Sequence, residues 1–184
     1  MTAIQNIPLK TIDGQDATLG DHAGSVLLVV NVASKCGLTP QYEGLEKLYR
    51  AYSDRGLKVL GFPANNFLQQ EPGTDEEIAS FCATTYDVTF PMFSKISVAG
   101  ADRHPLYSAL TAAQPKAEGP NGDAMRERLA GKNIPIHPEP EVLWNFEKFI
   151  VGRNGEVVAR FAPDTPIDDR GLQDAIEGEL LKPA

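Results

Sequence analysis

The chain has 184 residues, 42% of them hydrophobic and 23% charged, with a formal net charge of −8. That is the composition of a globular protein able to bury a proper core, and residues 1–184 read as a single domain. The acidic balance excludes overall attraction to nucleic acid or an anionic membrane, no apolar run approaches the ~20 residues of a membrane span, and two cysteines with three scattered histidines make a poor metal set.

Met1 to Lys10 has no charged start followed by an apolar run, so no secretory leader is read and the expected compartment is the cytoplasm. In a reducing compartment the two cysteines are not expected to form a permanent staple. No Gly-rich phosphate loop is present. Ile4 to Leu19 reads as a short hairpin turning at Asp13-Gly14, and Asp21 to Ser25 as a polar loop. Val26 to Val32 is a short run of valine and leucine broken only by Asn31, which reads as a strand buried on both faces.

The run stops at Ser34-Lys35-Cys36-Gly37. From Thr39 onward the spacing becomes helical, with Tyr42, Leu45, Leu48, Tyr49 and Tyr52 on one face. The helix is read as roughly Pro40 to Arg55, with Gly56 as its C-cap. Cys36 thus stands where a central strand hands over to a helix. Backbone N–H groups at a helix start are unpaired and the dipole favours negative charge. A thiol in such a place ionises more readily, and the thiolate is the reactive form. Lys35 acts in the same direction. The alternative is a cysteine that only fills space.

Leu57 to Phe62 is the next strand, which makes a βαβ unit with parallel strands. Pro63 to Gly73 then leaves the carboxyl end of a parallel strand beside the Cys36 turn, the edge of an open α/β sheet where ligands bind. Thr74-Asp75-Glu76-Glu77 is a capping box opening a helix that carries Ile78, Phe81 and Cys82. Asp87 to Ile96 reads as an extended piece and Pro105 to Ala113 as a helix. Gln114 to Pro140 reads as a long surface excursion with one helical turn near Met125-Arg126-Glu127. Val142 to Val151 and Val157 to Phe161 read as strands about an Asn154-Gly155 turn, and Ile167 to Leu181 as the closing helix. The layout is that of a thioredoxin-like α/β domain: a central mixed sheet flanked by helices, with an N-terminal hairpin.

Three stretches resemble the signatures of the glutathione peroxidase family, in its order and with its approximate spacing. They are Asn31-Val32-Ala33-Ser34-Lys35-Cys36-Gly37, Gly61-Phe62-Pro63 through Gln70-Glu71-Pro72-Gly73, and Trp144-Asn145-Phe146-Glu147-Lys148-Phe149. Phe90-Pro91-Met92-Phe93 is also family-like. The resemblance implies reduction of hydrogen peroxide and organic hydroperoxides with no bound cofactor. It puts Cys36 in the peroxidatic position and matches Gln70, Trp144 and Asn145 to the family's glutamine and tryptophan-asparagine pair. The chemistry is coherent: a thiolate attacking an O–O bond needs neutral hydrogen-bond donors to steady the sulfur and the departing oxygen. The product is a sulfenic acid at Cys36. Singly, Trp144 is equally an ordinary buried aromatic, Asn145 a residue satisfying backbone, and Gln70 a loop residue.

Cys82 matches the resolving cysteine of relatives recycled by thioredoxin, which form an internal disulfide and exchange it. Its bland alternative is a buried helix-face cysteine. A disulfide needs Cα atoms within about 7 Å, so the resemblance also implies local unwinding of the helix that carries Cys82. Glutathione-specific relatives use arginines around the cysteine. Here Leu38-Thr39-Pro40-Gln41 has none, and a single Arg160 precedes Phe161-Ala162-Pro163-Asp164. Thioredoxin is therefore the expected electron donor, with glutathione a slower one. The Gln114–Pro140 excursion resembles the longer loop of oligomeric relatives, which suggests a homo-oligomer acting on freely diffusing peroxides. Two other functions compete: a peroxide sensor signalling through a Cys36–Cys82 disulfide, and a protein-disulfide reductase. The second would want Cys-x-x-Cys, and Cys36-Gly37-Leu38-Thr39 lacks the second cysteine.

Overall fold

The structure is a computed structural model describing residues 1–119 and 122–184. A 3-10 turn at Ala3–Asn6 precedes β1 (Leu9–Lys10), β2 (Asp16–Ala17), β3 (Val26–Val32), α1 (Gln41–Tyr52), β4 (Leu57–Pro63) and α2 (Asp75–Tyr86). Then come α3 (Pro105–Ala113), α4 (Gly122–Gly131), β5 (Lys148–Val151), β6 (Val157–Phe161) and α5 (Arg170–Leu180). β1 and β2 pair antiparallel as the amino-terminal hairpin. The other four strands form one mixed sheet in the order β4-β3-β5-β6, with β3 parallel to β4 and antiparallel to β5. β3 is thus central, and its whole length is buried, as its apolar run demands.

The pleat of β3 divides the core in two. Val26, Leu28, Val30 and Val32 pack with Tyr42, Leu45 and Leu48 of α1, Ile78 and Cys82 of α2, and Leu172, Ile176 and Leu180 of α5. Leu27 and Val29 point the other way, into a cluster with Leu106, Tyr107 and Leu110 of α3 and Met125 and Leu129 of α4. Helices therefore cover both faces. Cys36, in the turn after β3, packs against both clusters, at the sheet edge where the two layers meet.

Several elements differ from the sequence reading. α1 ends at Tyr52 and tightens to a 3-10 turn over Ser53–Arg55, stopped by Gly56 in the left-handed region at φ 102°. The Asp87–Ile96 segment makes only isolated bridges, Met92 to Gly61 and Phe93 to Thr11. The Gln114–Pro140 excursion holds a ten-residue helix, α4, because Met125 and Leu129 are buried one helical turn apart; its Pro120 and Asn121 lie outside the described residues. Val142 to Glu147 is not strand. Glu147 turns back to accept the Leu143 N–H at 3.1 Å, and Phe146 takes a left-handed φ of 68°, which no ladder tolerates. α5 starts at Arg170 rather than Ile167, with Asp169 accepting the Leu172 N–H as its cap.

Arg160 on β6 closes the excursion. It is 2% exposed and pairs with Glu147 at 2.5 Å. Its Nη1 donates to the carbonyls of Gln114 and Pro140, both at 2.8 Å, and Nη2 to that of Glu141 at 3.0 Å. With Nε donating to Glu147 at 2.6 Å, every guanidinium proton is used internally. One side chain thus pins both ends of a 27-residue detour, so the loop is long in sequence and short in space. Replacing Arg160 with methionine strands a buried Glu147 carboxylate, and denaturant titration is expected to show a loss of about 3–5 kcal/mol.

Candidate active site

The turn carrying Cys36 is built by hydrogen bonds that the residue pattern alone does not announce. Buried Thr39 donates its hydroxyl to the Ala33 carbonyl at 2.8 Å and accepts the Cys36 N–H at 2.9 Å. The Leu38 N–H donates to the Cys36 sulfur at 3.3 Å. α1 begins only at Gln41, so Cys36 sits in a turn ahead of the helix rather than in its first turn. The donor at the sulfur is therefore one local amide, not the helix end that the sequence reading invoked. Cys36 is half-buried, and Lys35 beside it is exposed.

Gln70 arrives from the other side. The Phe67 carbonyl accepts the Gln70 N–H at 3.2 Å across Leu68 and Gln69, which both have φ 52°. Consecutive left-handed residues are usually glycine or asparagine; other side chains pay about 1–2 kcal/mol each. The strained turn ends with the Gln70 carbonyl accepting the Lys35 N–H at 3.0 Å, which fixes this loop to the residue before Cys36. The Gln70 side-chain carbonyl accepts from Asn145 Nδ2 at 2.8 Å. Its Nε2 has no acceptor among the described residues and remains free to donate.

Trp144 and Asn145 are held by Asn31, the single polar residue of β3. Asn31 Nδ2 donates to the Trp144 carbonyl at 3.0 Å, and the Phe146 N–H donates to the Asn31 carbonyl at 2.6 Å. Asn145 lies between these two bonds, fully buried, and projects onto Gln70. The Trp144 indole packs against Phe67 at 5.1 Å between ring centroids. Gln70, Trp144 and Asn145 are thus linked to one another and, through Lys35, to the Cys36 turn. The sequence reading gave no supporting role to Asn31 or Thr39. A lone asparagine in a fully apolar strand was the available signal.

Cys82 lies apart from this constellation, on the face of α2 turned to α1, and is 2% exposed. Burial pushes its thiol up to about 11, and the Tyr42 hydroxyl beside it lowers it only in part. At neutral pH such a thiol is ionised to about one part in ten thousand. In the folded, reduced protein, iodoacetamide at pH 7 is therefore expected to alkylate Cys36 first and Cys82 only under denaturing conditions, as peptide mass mapping would show.

The family model described as glutathione peroxidase matches residues 4–111. A curated relative, the thioredoxin/glutathione peroxidase BtuE of Escherichia coli, is 55% identical over 175 residues, covering 95% of each chain. The crystal structure of T. cruzi GPX1 superposes with a TM-score of 0.68 at 31% identity, covering 97% of both chains. A thioredoxin-family thiol:disulfide interchange protein from Chlorobium tepidum aligns at 12% identity with a TM-score of 0.60 over 98% of this chain and 99% of its own, a likeness of fold alone. The sheet order, the Cys36 turn and these matches together place the chain in the glutathione peroxidase family, as a thiol peroxidase that reduces hydroperoxides.

Proposed function

We propose that Cys36 is the peroxidatic cysteine, that Gln70, Trp144 and Asn145 assist it, and that Cys82 resolves its sulfenic acid for reduction by thioredoxin. The observation that carries the site assignment is the Asn145-to-Gln70 hydrogen bond at 2.8 Å. It consumes the Gln70 carbonyl and leaves an amide donor pointing away from it. A donor already placed costs no reorganisation when negative charge develops on the oxygen leaving the peroxide. The Leu38 amide on the sulfur serves the other end of the reaction. Cys36 attacks one peroxide oxygen, the O–O bond breaks, the alcohol or water departs, and Cys36 is left as a sulfenic acid.

The donor reading rests on what is missing and on what is spoken for. No arginine follows Cys36 in the turn, and Arg160 has all its donors committed inside the protein. Neither supplies a clamp for the carboxylates of glutathione. The relative from Escherichia coli carries both thioredoxin and glutathione in its name, and the presence of Cys82 favours thioredoxin here. For Cys82 to meet Cys36, α2 has to unwind. Its amino-terminal end is well pinned: Thr74 and Glu77 form the capping box, Asp75 accepts from Ser94 at 2.5 Å and from the Lys95 N–H at 3.0 Å, and Lys95 Nζ donates to the Glu71 carbonyl at 3.0 Å. The carboxyl end is held by an exposed Arg50–Asp87 pair at 3.0 Å, by Arg50 Nη2 donating to the Asp87 carbonyl at 3.1 Å, and by the Tyr86 ring against Tyr42 at 5.5 Å and Phe81 at 5.9 Å. Exposed ion pairs contribute ~0–1 kcal/mol. Unwinding from Tyr86 back to Cys82 breaks these contacts and leaves the capping box and the Asp75 bonds in place. The cycle belongs in a reducing compartment, which fits the cytoplasm.

Two measurements test this reading. Asn145→Ala is expected to lower kcat/KM for hydrogen peroxide by about a hundredfold while leaving the fold intact by circular dichroism; an unchanged value removes Asn145 from the site. NADPH consumption with cumene hydroperoxide is expected to be supported by thioredoxin and its reductase and lost in Cys82→Ser. Equal turnover with glutathione and indifference to Cys82→Ser would make Cys82 a packing residue.

A further inference from the structure

Glu46 is a buried carboxylate that the chemistry proposed above does not use. It lies on α1, 5% exposed, and binds the chain that leaves α2. Its Oε1 accepts the Thr89 N–H at 2.7 Å, and its Oε2 accepts the Thr89 hydroxyl at 2.6 Å and Arg50 Nε at 2.5 Å. Arg50 Nη2 donates in turn to the Asp87 carbonyl at 3.1 Å and to the Asp87 carboxylate at 3.0 Å. Burial pushes the Glu46 carboxyl up, but the Thr89 hydroxyl and N–H and the Arg50 guanidinium outweigh it and hold the group below the usual carboxylate range. The Arg50–Asp87 pair alone is exposed and weak; the charged, buried Glu46 behind it is what fixes Arg50 and Thr89 to α1.

The clasped segment is bonded to Cys82 itself. The Cys82 carbonyl accepts the Asp87 N–H, and also the Val88 N–H at 3.1 Å. Asp87 closes the helix in the left-handed region at φ 52°, a conformation that a residue with a Cβ keeps only where its surroundings impose it. Arg50, bonded to both its carbonyl and its carboxylate, imposes it. Cys82 therefore cannot leave α2 until its carbonyl releases two amides of the segment that Glu46 and Arg50 hold.

We propose that Glu46 and Arg50 are positioning residues of the resolving step: by clasping Asp87 to Thr89 against α1 they keep Cys82 in the helix, and so set how fast the disulfide forms and how readily it is reduced. The inference rests on the reading of Cys82 as the resolving cysteine. The chemistry itself is unaltered. The Cys82 sulfur attacks the Cys36 sulfur, the S–S bond forms, the S–O bond of the sulfenic acid breaks, and the Cys82 proton leaves with the hydroxide as water. Opening of the helix end precedes this, so the observed rate is the chemical rate multiplied by the open fraction. The clasp lowers that fraction. It acts on the dithiol form, because the disulfide already holds Cys82 outside the helix. Stabilising the dithiol raises the reduction potential of the pair, so the disulfide yields easily to a dithiol reductant. The same delay leaves the sulfenic acid open for longer to a second peroxide, which oxidises it to the sulfinic acid and departs as alcohol or water.

The test is a rapid-quench single turnover. Reduced protein is mixed with one equivalent of hydrogen peroxide without reductant, quenched and alkylated, and sulfenic acid, disulfide and sulfinic acid are counted by intact mass. Glu46→Gln keeps the volume and removes the charge; it is expected to form the disulfide about tenfold faster than the wild type, with the rate of peroxide loss unchanged. Its Cys36–Cys82 potential, titrated in a dithiothreitol redox buffer, is expected to fall by the same factor in the equilibrium constant, about 30 mV. Thr89→Val is expected to move both quantities in the same direction by less, and Thr89→Ser, which keeps the hydroxyl, to match the wild type. Amide hydrogen exchange over residues 82–88 of the reduced protein reports the opening directly. If the helix end exchanges faster in Glu46→Gln while disulfide rate or potential stays at the wild-type value, Glu46 is merely structural and the proposal is overturned, with the two-cysteine cycle left standing. Unchanged exchange, or a slower disulfide step, overturns it equally. A wild type that forms no Cys36–Cys82 disulfide overturns both readings. Should Glu46→Gln fail to fold, the exposed Thr89→Val decides by the same criteria.

Discussion

The site depends on one buried asparagine. Asn31 interrupts an otherwise aliphatic central strand, and its amide and carbonyl grip the chain on either side of Asn145. Of its side chain at zero exposure, Nδ2 is bonded and Oδ1 has no partner among the described residues. The bonding does more than satisfy one donor. It stops β5 from continuing back through Trp144, forces Phe146 into the left-handed region, and turns Asn145 toward Gln70. The same strand ends in the Cys36 turn. Both halves of the candidate site thus hang from β3, a strand buried along its whole length.

The second constraint is how charge is buried. Arg160 and Glu147 form a pair at 2% and 1% exposure, and Lys148 beside them donates to the carbonyls of Pro163 at 2.9 Å and Thr165 at 2.7 Å. These cations saturate backbone carbonyls that would otherwise be orphaned where the chain departs from and rejoins the sheet. Glu147 and Lys148 in the Trp144–Phe149 stretch and Arg160 on β6 are the charged residues set among the aromatics there. Charge at this end of the molecule is structural. At the other end, the buried Glu71 carboxylate leaves its Oε2 without a partner among the described residues.

Regular elements were legible wherever periodicity and capping agreed. The Val26–Val32 strand, the Thr74 capping box, the Pro105–Ala113 helix and the Asn154-Gly155 hairpin all appear where the pattern puts them. The misreadings have two causes. The sequence reports hydrophobicity, and Val142 to Phe146 is hydrophobic because it lies in the core, not because it pairs in a ladder. The α4 helix was read as one turn because the segment around it is rich in proline, glycine and charge. At the candidate site, Cys36, Gln70, Trp144 and Asn145 were singled out through their motifs, and the structure links Gln70 to Asn145 and to the Cys36 turn. The bonds of Asn31 to Trp144 and Phe146 and of Glu71 to Ser34 join segments far apart in sequence, and those of Thr39 to Ala33 and Cys36 close a turn; no hydrophobic pattern encodes such partners.

Trp144 is the only tryptophan in the chain and lies against Phe67 within this constellation. All indole emission of the native protein consequently originates at this one position, against the Phe67 ring. The remaining aromatics, tyrosine and phenylalanine, absorb little at the red edge of the ultraviolet band. Light absorbed there is reported back from a single position, the residue next to Asn145 in the turn that Asn31 holds. The protein carries one intrinsic optical gauge, and it reads the packing of the candidate site.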